Sequence, residues 1–124
     1  MLNRLINNAT HVYLACGATD FRKQSASLSL LVMANFKIDP YQGSYAFIFC
    51  NKRRNAIKIL RYENNGFILA SKKVMNGMKF QWPKTQGEAK LITRQQVGWL
   101  FEGLQIEQKN AHIPIEIGGK SICY

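Results

Sequence analysis

Residues 45–83 read YAFIFCNKRRNAIKILRYENNGFILASKKVMNGMKFQWP, and this segment predicts most of the fold. Short runs of β-branched and aromatic residues alternate here with two Asn-Gly dipeptides, at 65–66 and at 76–77. Asn-Gly favours a two-residue hairpin turn, because both central residues of a type I′ turn need φ > 0. The pattern therefore predicts a four-strand antiparallel meander, with strands at 45–50, 57–62, 67–73 and 79–82.

The predicted meander is strongly basic. Its only acid is Glu63, whereas its cations, counted to residue 84, are Lys52, Arg53, Arg54, Lys58, Arg61, Lys72, Lys73, Lys79 and Lys84. The 124-residue chain has 17 Lys and Arg against 7 Asp and Glu, a formal net charge of +10. Such an excess favours an anionic partner, with nucleic acid first and an acidic membrane surface second. A protein that is merely basic is the alternative.

Two-residue turns at both Asn-Gly pairs would fix the strand register. Lys58 then faces Lys73 across the first hairpin. Like charges directly opposite each other destabilise a sheet, and an anion between them would relieve the repulsion. The aromatic residues on the same face are expected to lie in the core with lysines at the rim, base stacking being the alternative. These residues are Tyr62, Phe80 and Trp82.

The segments before the meander predict an arm, a strand and a helix. Residues 1–10 are expected to form a loosely held arm, followed by a first strand at 11–16. Asp20 is the expected N-cap of the helix, because its carboxylate can accept from the free N–H groups of a first turn. Helical apolar spacing follows from Leu28 and should stop before Pro40, because the residue before proline is pushed out of the α region.

The segment after the meander predicts a second helix. Thr93 and Gln96 have the spacing of a capping box, and Gly103 stands where the helix should stop. The apolar face between them consists of Val97, Leu100, Phe101 and Leu104. Residues 107–124 form a tail with a strand-like run at 113–117, which Pro114 would confine to a sheet edge.

Together these patterns predict one α+β domain at residues 11–106. Its twisted antiparallel sheet would comprise the four-strand meander and the N-terminal strand, with two packed helices. No apolar run reaches the roughly 18 residues of a membrane span, and the N-terminal segment is polar and too short for a signal peptide. We therefore expect a cytoplasmic protein with reduced thiols and no membrane partner.

No constellation in the sequence supports catalysis, a cofactor or a metal. There is no Gly-rich phosphate loop, and neither His11 nor His112 has a partner at metal-ligand spacing. The three cysteines are too widely spaced for a zinc site or a disulfide framework: Cys16, Cys50 and Cys123. A magnesium-dependent nuclease that uses Asp20 is the enzyme alternative, but such sites need more acids than this chain offers.

One ordered set of short motifs indicates a family. Its first half comprises Val12-Tyr-Leu-Ala15, Gly17, Thr19-Asp20, Arg22-Lys23, Asp39-Pro40, Gly43, Phe47 and Arg53-Arg54. Its second half comprises Lys58-Ile-Leu-Arg-Tyr62, Gly66, Lys72-Lys73, Gly77, Phe80-Gln-Trp82-Pro83, Thr93, Gln96 and Trp99-Leu-Phe-Glu-Gly103. In this order the motifs resemble the TnpB-type accessory proteins of the IS-sixty-six type of bacterial insertion sequences, which differ from the RNA-guided nuclease of the same name.

The resemblance covers residues 11–106 and implies a small protein encoded beside a larger transposase that carries the Asp-Asp-Glu chemistry. It implies an accessory role in transposition and brings no catalytic residues with it. Three positions depart from the family pattern: Phe21 replaces a usual Met, Gln24 a common Gly, and Tyr62-Glu63 a usual Trp-Asp. The loss of glycine at 24 favours a helix that begins nearer Arg22.

The expected function is that of a non-catalytic accessory factor for DNA transposition in the bacterial cytoplasm. The expected phosphate contacts are Lys52, Arg53, Arg54, Lys58, Lys72 and Lys73. The alternative is a protein-interaction module that docks the cognate transposase through the same basic surface. The apolar faces of the meander would also allow a homodimer, which no sequence signal supports.

Overall fold

Five strands form one mixed sheet that carries helices on both faces. The computed structural model describes residues 2–108. The strands are β1 (His11–Ala15), β2 (Tyr45–Cys50), β3 (Ala56–Glu63), β4 (Gly66–Lys73) and β5 (Ala89–Ile92). The helices are α1 (Leu2–Asn7), α2 (Ser25–Leu31), which continues as the π-helical segment Val32–Phe36, and α3 (Arg94–Phe101). The predicted α+β class is confirmed.

The strands lie in the order β4-β3-β2-β1-β5. β1 and β2 run parallel, from the His11–Tyr45 pair to the Leu14–Ile48 pair, whereas all other neighbours are antiparallel. A parallel pair needs a long crossover, which residues 16–44 supply with α2. The sheet is therefore mixed rather than antiparallel throughout, because the hairpin signals carried no information about this long-range pairing.

Apolar side chains pack on both faces of the sheet. On one face the core includes residues from α1 and α3, with Leu5, Ile48, Ile57, Ile59 and Leu100 fully buried. On the other face it includes α2 and the π-helical segment, with Leu28, Val32, Phe47, Phe49 and Leu60 fully buried. The continuous apolar run of β2 follows from this arrangement, because the strand is covered on both sides.

The β3–β4 hairpin turns one residue earlier than predicted. Its central residues are Asn64 and Asn65, with φ of 53° and 68°, so the glycine that follows belongs to β4. Asparagine tolerates the left-handed region, so this pair forms the turn without glycine. Lys58 therefore faces Ser71, and the predicted pairing of Lys58 with Lys73 is wrong. The pairing is shifted by two residues, and side chains alternate between the two faces of a strand. Each β3 and β4 side chain therefore points to the same face of the sheet as in the predicted register.

The second Asn-Gly turn is present, but no strand follows it. Asn76 and Gly77 have φ of 58° and 77°. The next residues then leave β4, and Phe80 and Trp82 are buried on the sheet face that carries α1 and α3. The predicted strand at 79–82 is wrong, because burying two large aromatic side chains stabilises more than pairing at a sheet edge. The prediction that Phe80 and Trp82 are core residues is confirmed.

Residues 2–7 form α1 where a loosely held arm was expected. Leu5 and Ile6 are buried. The buried guanidinium of Arg61 donates to three backbone carbonyls, those of Leu5 (2.8 Å), Asn8 (3.1 Å) and Gly43 (2.8 Å). Arg94 donates to the Asn7 carbonyl. The bonds to Leu5, Asn7 and Asn8 satisfy free carbonyls at the C-terminal end of a helix too short to be stable by itself, so tertiary contacts hold α1 in place.

The two longer helices differ in how well their starts were predicted. The N-cap of α2 is Gln24, which makes no side-chain capping bond. The predicted Asp20 cap is wrong, because the Asp20 carboxylate instead accepts from the backbone N–H of Arg22 at 2.9 Å. In α3 the capping box is confirmed: the Gln96 N–H donates to Thr93 Oγ1 at 3.1 Å, and the Thr93 N–H donates to Gln96 Oε1 at 2.9 Å. The strand-like run predicted at 113–117 lies outside the described residues.

Candidate nucleic-acid interface

The two ends of the sheet carry different side chains. The C-terminal ends of β1, β2 and β4 lie at one end, which also holds the loops 16–24, 51–55 and 74–88. We call this the basic end, after Arg22, Lys23, Lys52, Arg53, Arg54, Lys72, Lys73, Lys79 and Lys84. We call the opposite end the aromatic end, after six incompletely buried rings: His11, Tyr13, Tyr41, Tyr45, Tyr62 and Phe67.

Two asparagines hold the basic loop between β2 and β3. The side-chain oxygen of Asn51 accepts from the backbone N–H of Asn55 at 3.0 Å, and the Arg54 N–H donates to the Asn51 carbonyl at 3.0 Å. Arg54 has a φ of 60°, in the left-handed region, and the Asn51 N–H donates to the Ala56 carbonyl at 3.2 Å across the base of the loop. The loop backbone is thus fixed, while the side chains of Lys52 and Arg53 are exposed.

The chain after β3 flanks this loop. The Val74 N–H donates to the Asn55 carbonyl at 2.8 Å, and the Phe80 N–H donates to the Arg54 carbonyl at 2.7 Å. Lys72 and Lys73 end β4 beside the loop and are both exposed. Because successive strand residues point to opposite faces, these two lysines extend the positive charge over both faces of the basic end.

Lys58 differs from the other predicted contacts, because its ammonium group is already bonded inside the protein. Its Nζ donates to the carbonyls of Phe21 at 2.9 Å and Lys23 at 3.2 Å. It also lies 4.8 Å from the centroid of the Phe21 ring. Lys58 therefore holds the 16–24 loop against β3. No local sequence signal distinguishes such a lysine from an unbonded one, since its acceptors lie more than thirty residues away.

Cavities surround the basic loop. One of about 320 Å³ is lined by Lys52, Arg54 and Lys84 together with Trp82, and a neighbour of about 510 Å³ shares Arg54, Lys84 and Trp82. A third, of about 440 Å³, is lined by Lys52 and Arg53. Sequence reasoning did not select Lys84 as a site residue, because it follows the meander in a polar loop with no motif of its own.

Few acids neutralise the basic end. Among residues 2–108 the ion pairs are Arg4–Glu63 (3.3 Å), Arg22–Asp20 (2.8 Å) and Lys90–Glu107 (3.4 Å). Within this part of the chain, therefore, no ion pair involves the other eight cations of the basic end: Lys23, Lys52, Arg53, Arg54, Lys72, Lys73, Lys79 and Lys84. The hydrogen bonds from Arg22 lower the pKa of Asp20 from 3.8 to about 2, so this acid remains ionised and paired at neutral pH.

The thiols and acids of the described chain offer little chemistry. Burial raises the pKa of Cys50 to about 12 even though Arg54 lies nearby, and burial also raises the pKa of Cys16. Both thiols are therefore protonated and unreactive at neutral pH. Between residues 2 and 108, no group of three His, Cys, Asp or Glu side chains is arranged to hold a metal ion. The expectations for His112 and Cys123 concern residues outside this range.

None of the helices within residues 2–108 combines the length and the apolarity that a membrane crossing requires.

Known proteins resemble this chain over most of its length. The family described as IS66 Orf2 like protein matches residues 10–111. The uncharacterized protein y4hO of Sinorhizobium fredii (strain NBRC 101917 / NGR234) is 31% identical over 93 residues, which is 75% of this chain and 79% of that protein. No solved structure matches the chain.

Proposed function

The chain belongs to the family of IS66 Orf2 like proteins, which are associated with insertion sequences, and we propose that it is a non-catalytic accessory factor that binds DNA through the basic end. One observation carries the proposal. Eight cations gather at one end of the sheet without an ion-pair partner among residues 2–108. They are Lys23, Lys52, Arg53, Arg54, Lys72, Lys73, Lys79 and Lys84.

The chemistry of these cations suits phosphate groups better than base edges. Lys52, Arg53, Lys72 and Lys73 are exposed and stand on loops and strand ends, not on a helix that could enter a major groove. Arginine can donate two parallel hydrogen bonds to one phosphate, and lysine contributes a point charge. Contacts of this kind position a protein on DNA without reading its sequence. Lys58 adds charge only, because its ammonium already has two carbonyl acceptors.

Salt dependence tests the proposal directly. Fluorescence anisotropy with a labelled blunt duplex should show binding at low salt, and the logarithm of the affinity should fall linearly with the logarithm of the salt concentration. The slope should be close to one per phosphate contacted, about four or more for this number of cations. No binding at low salt, or binding without a salt slope, would overturn the proposal.

A pull-down with the cognate transposase separates DNA binding from protein docking. We expect any association between the two proteins to disappear after nuclease treatment, because DNA bridges them. Association that survives the nuclease, yet is lost on Arg53→Glu plus Arg54→Glu, would instead assign the basic end to an acidic patch on the transposase.

A further inference from the structure

We infer that the groove beside Arg54 receives an unpaired DNA strand at the end of a duplex, with Arg54 as its central phosphate-binding residue. The inference rests on the proposed DNA binding and adds a ligand class to it. The proposed function needs only a basic surface that lies against duplex phosphates. The groove adds a concave site that is large enough for an unpaired nucleotide, whereas a duplex is too wide to enter it.

The groove consists of two adjoining cavities at the basic end. Their volumes are about 320 and 510 Å³, and both are lined by Arg54, Trp82, Pro83 and Lys84. Sites of this size take small molecules. A nucleotide unit is of that class, whereas a duplex offers the groove only phosphates on its outer surface. The four shared lining residues place the two cavities side by side at the basic end.

Hydrogen bonds between distant segments hold the walls of this groove. Trp82 donates its Nε1–H to the Ala15 carbonyl at 2.8 Å, and the Gly17 N–H donates to the Pro83 carbonyl at 2.7 Å. Gln86 bonds the backbone of Ala18 twice, accepting from its N–H at 2.9 Å and donating to its carbonyl at 3.2 Å. A wall fixed before binding loses little entropy when a ligand arrives.

The close approach of Gly17 to this wall depends on glycine. Its φ is +82°, and a Cβ placed on it would lie 2.2 Å from the side-chain oxygen of Gln86. Any side chain at this position would therefore push the Gln86 bonds apart. The β1 end and the 82–86 segment are packed together tightly, and the groove lies between them and the basic loop.

The charges inside the groove match a phosphate chain. Among residues 2–108, Lys52, Arg54 and Lys84 line the smaller cavity and no carboxylate does. Within the same part of the chain, the one acid that lines the larger cavity is Glu107, which pairs with Lys90 at 3.4 Å. Trp82 provides an apolar wall next to these cations. A positively charged groove that follows the sugar-phosphate backbone is one part of a single-strand site, and these cations supply it. Trp82 is only 7% exposed, so it supports the wall from the core and leaves no ring face free for a base.

The backbone of Arg54 gives independent support. Its φ of 60° lies in the left-handed region, which glycine and asparagine occupy with less strain than arginine. The loop is closed by Asn51 and by the Phe80 N–H, so the strained backbone stays in place. An arginine at this position costs local stability, and Arg54 lines both cavities. Strain of this kind is typical of functional positions.

The experiment compares a blunt DNA duplex with the same duplex carrying a short single-stranded thymidine extension, on the 3′ or the 5′ side, by fluorescence anisotropy. For the unaltered protein the better extension should raise the affinity about tenfold, the effect of about one additional charge-assisted hydrogen bond to a phosphate. Arg54→Gly should abolish this gain, while blunt-duplex affinity falls only by the loss of one cation. The variant should melt no lower than the unaltered protein, because glycine accepts the left-handed backbone.

The matched control is Arg53→Gly, which removes the same charge from the neighbouring loop position. Arg53 lines other cavities and not the groove, so the gain from the extension should persist. Lys84→Ala gives a second test outside the loop and should reduce the gain as well. Equal affinity for blunt and extended duplexes would overturn this inference alone, whereas no binding to either would overturn the proposed function. A gain that persists in both Arg54→Gly and Lys84→Ala would exclude the groove as the site.

Discussion

The basic end and the aromatic end of the sheet differ in how Arg53, on the one side, and Arg61 and Arg4, on the other, are bonded. At the basic end, Arg53 is exposed and forms no ion pair within residues 2–108. At the aromatic end, Arg61 is buried and donates to three backbone carbonyls, and Arg4 pairs with Glu63. Net charge alone does not identify a binding surface, because the partners of each cation decide whether it is available to a ligand.

The aromatic end has its own internal order. Tyr13 and Tyr45 meet with ring centroids 5.5 Å apart, and Tyr41 and Tyr62 with centroids 5.1 Å apart, both edge to face. Aromatic pairs in this geometry stabilise the fold beyond their buried area. The rings and the buried arginine together indicate that this end contributes to stability, whereas the basic end contributes charge.

The largest effect should follow from removing the buried cation of the aromatic end. Arg61→Ala leaves three carbonyls without a donor and should lower the free energy of unfolding by about 3 kcal/mol, measured by urea denaturation. Arg4→Ala is the control, because its ion pair is largely solvent-exposed and should contribute at most about 1 kcal/mol. Equal losses in the two variants would contradict a structural role specific to Arg61.

The next effect concerns DNA affinity. Arg53→Glu replaces an attraction by a repulsion at the basic end and should weaken duplex binding about tenfold at low salt, measured by anisotropy. Lys37→Glu makes the same change in charge in the loop before β2, at the aromatic end, and should change the affinity much less. Similar losses in both variants would mean that net charge, rather than the position of the cations, governs binding.

Substitutions of two lysines, Lys58 and Lys72, should affect stability and DNA binding separately. Lys58→Met removes two bonds to carbonyls and should lower the free energy of unfolding by about 1 kcal/mol, with little change in DNA affinity. Lys72→Met should do the reverse, because Lys72 is exposed and its ammonium only approaches the Phe101 ring at 5.9 Å. The comparison would fail if Lys58→Met weakened DNA binding as much as Lys72→Met.

The smallest predicted effect is a change in the carboxyl pKa of Asp20, at the basic end. NMR should place the carboxyl pKa of Asp20 at about 2, and Arg22→Ala should return it toward 3.8. Because the folded-state pKa is lowered, the pair stabilises the fold fully above about pH 4, and this contribution is lost as the pH falls through about 2. A pKa near 3.8 in both proteins would show that the Arg22 contact does not persist in solution.

The sequence predicted those features that depend on neighbouring residues. The strands at 45–50, 57–62 and 67–73, the left-handed turn at 76–77 and the Thr93 capping box all form close to their predicted places. Each of them depends on backbone preferences and hydrogen bonds within a few residues. The basic loop at 52–54 was also recognised from its composition, and the resemblance to the insertion-sequence family was confirmed.

Of two predictions that failed, one did so because of residues distant in the chain and one because of a charged partner two residues away. Phe80 and Trp82 continue a strand pattern, yet they leave β4 for the core around Leu5 and Leu100. Asp20 has the type and position of an N-cap, but a contact with Arg22 takes its carboxylate. In both cases a local preference worth about 1 kcal/mol was outweighed by packing or by a charged partner.

By itself, the sequence determined the fold class, the basic character of the β2–β3 loop and the family, because composition, turn residues and motif order are all local properties. Only the tertiary structure decided which cations remain available. It placed Arg61 and Lys58 against backbone carbonyls and brought Arg54 and Lys84 to the same groove. The physical reason is that a side chain's hydrogen-bond partners and burial depend on segments tens of residues away, which no local pattern specifies.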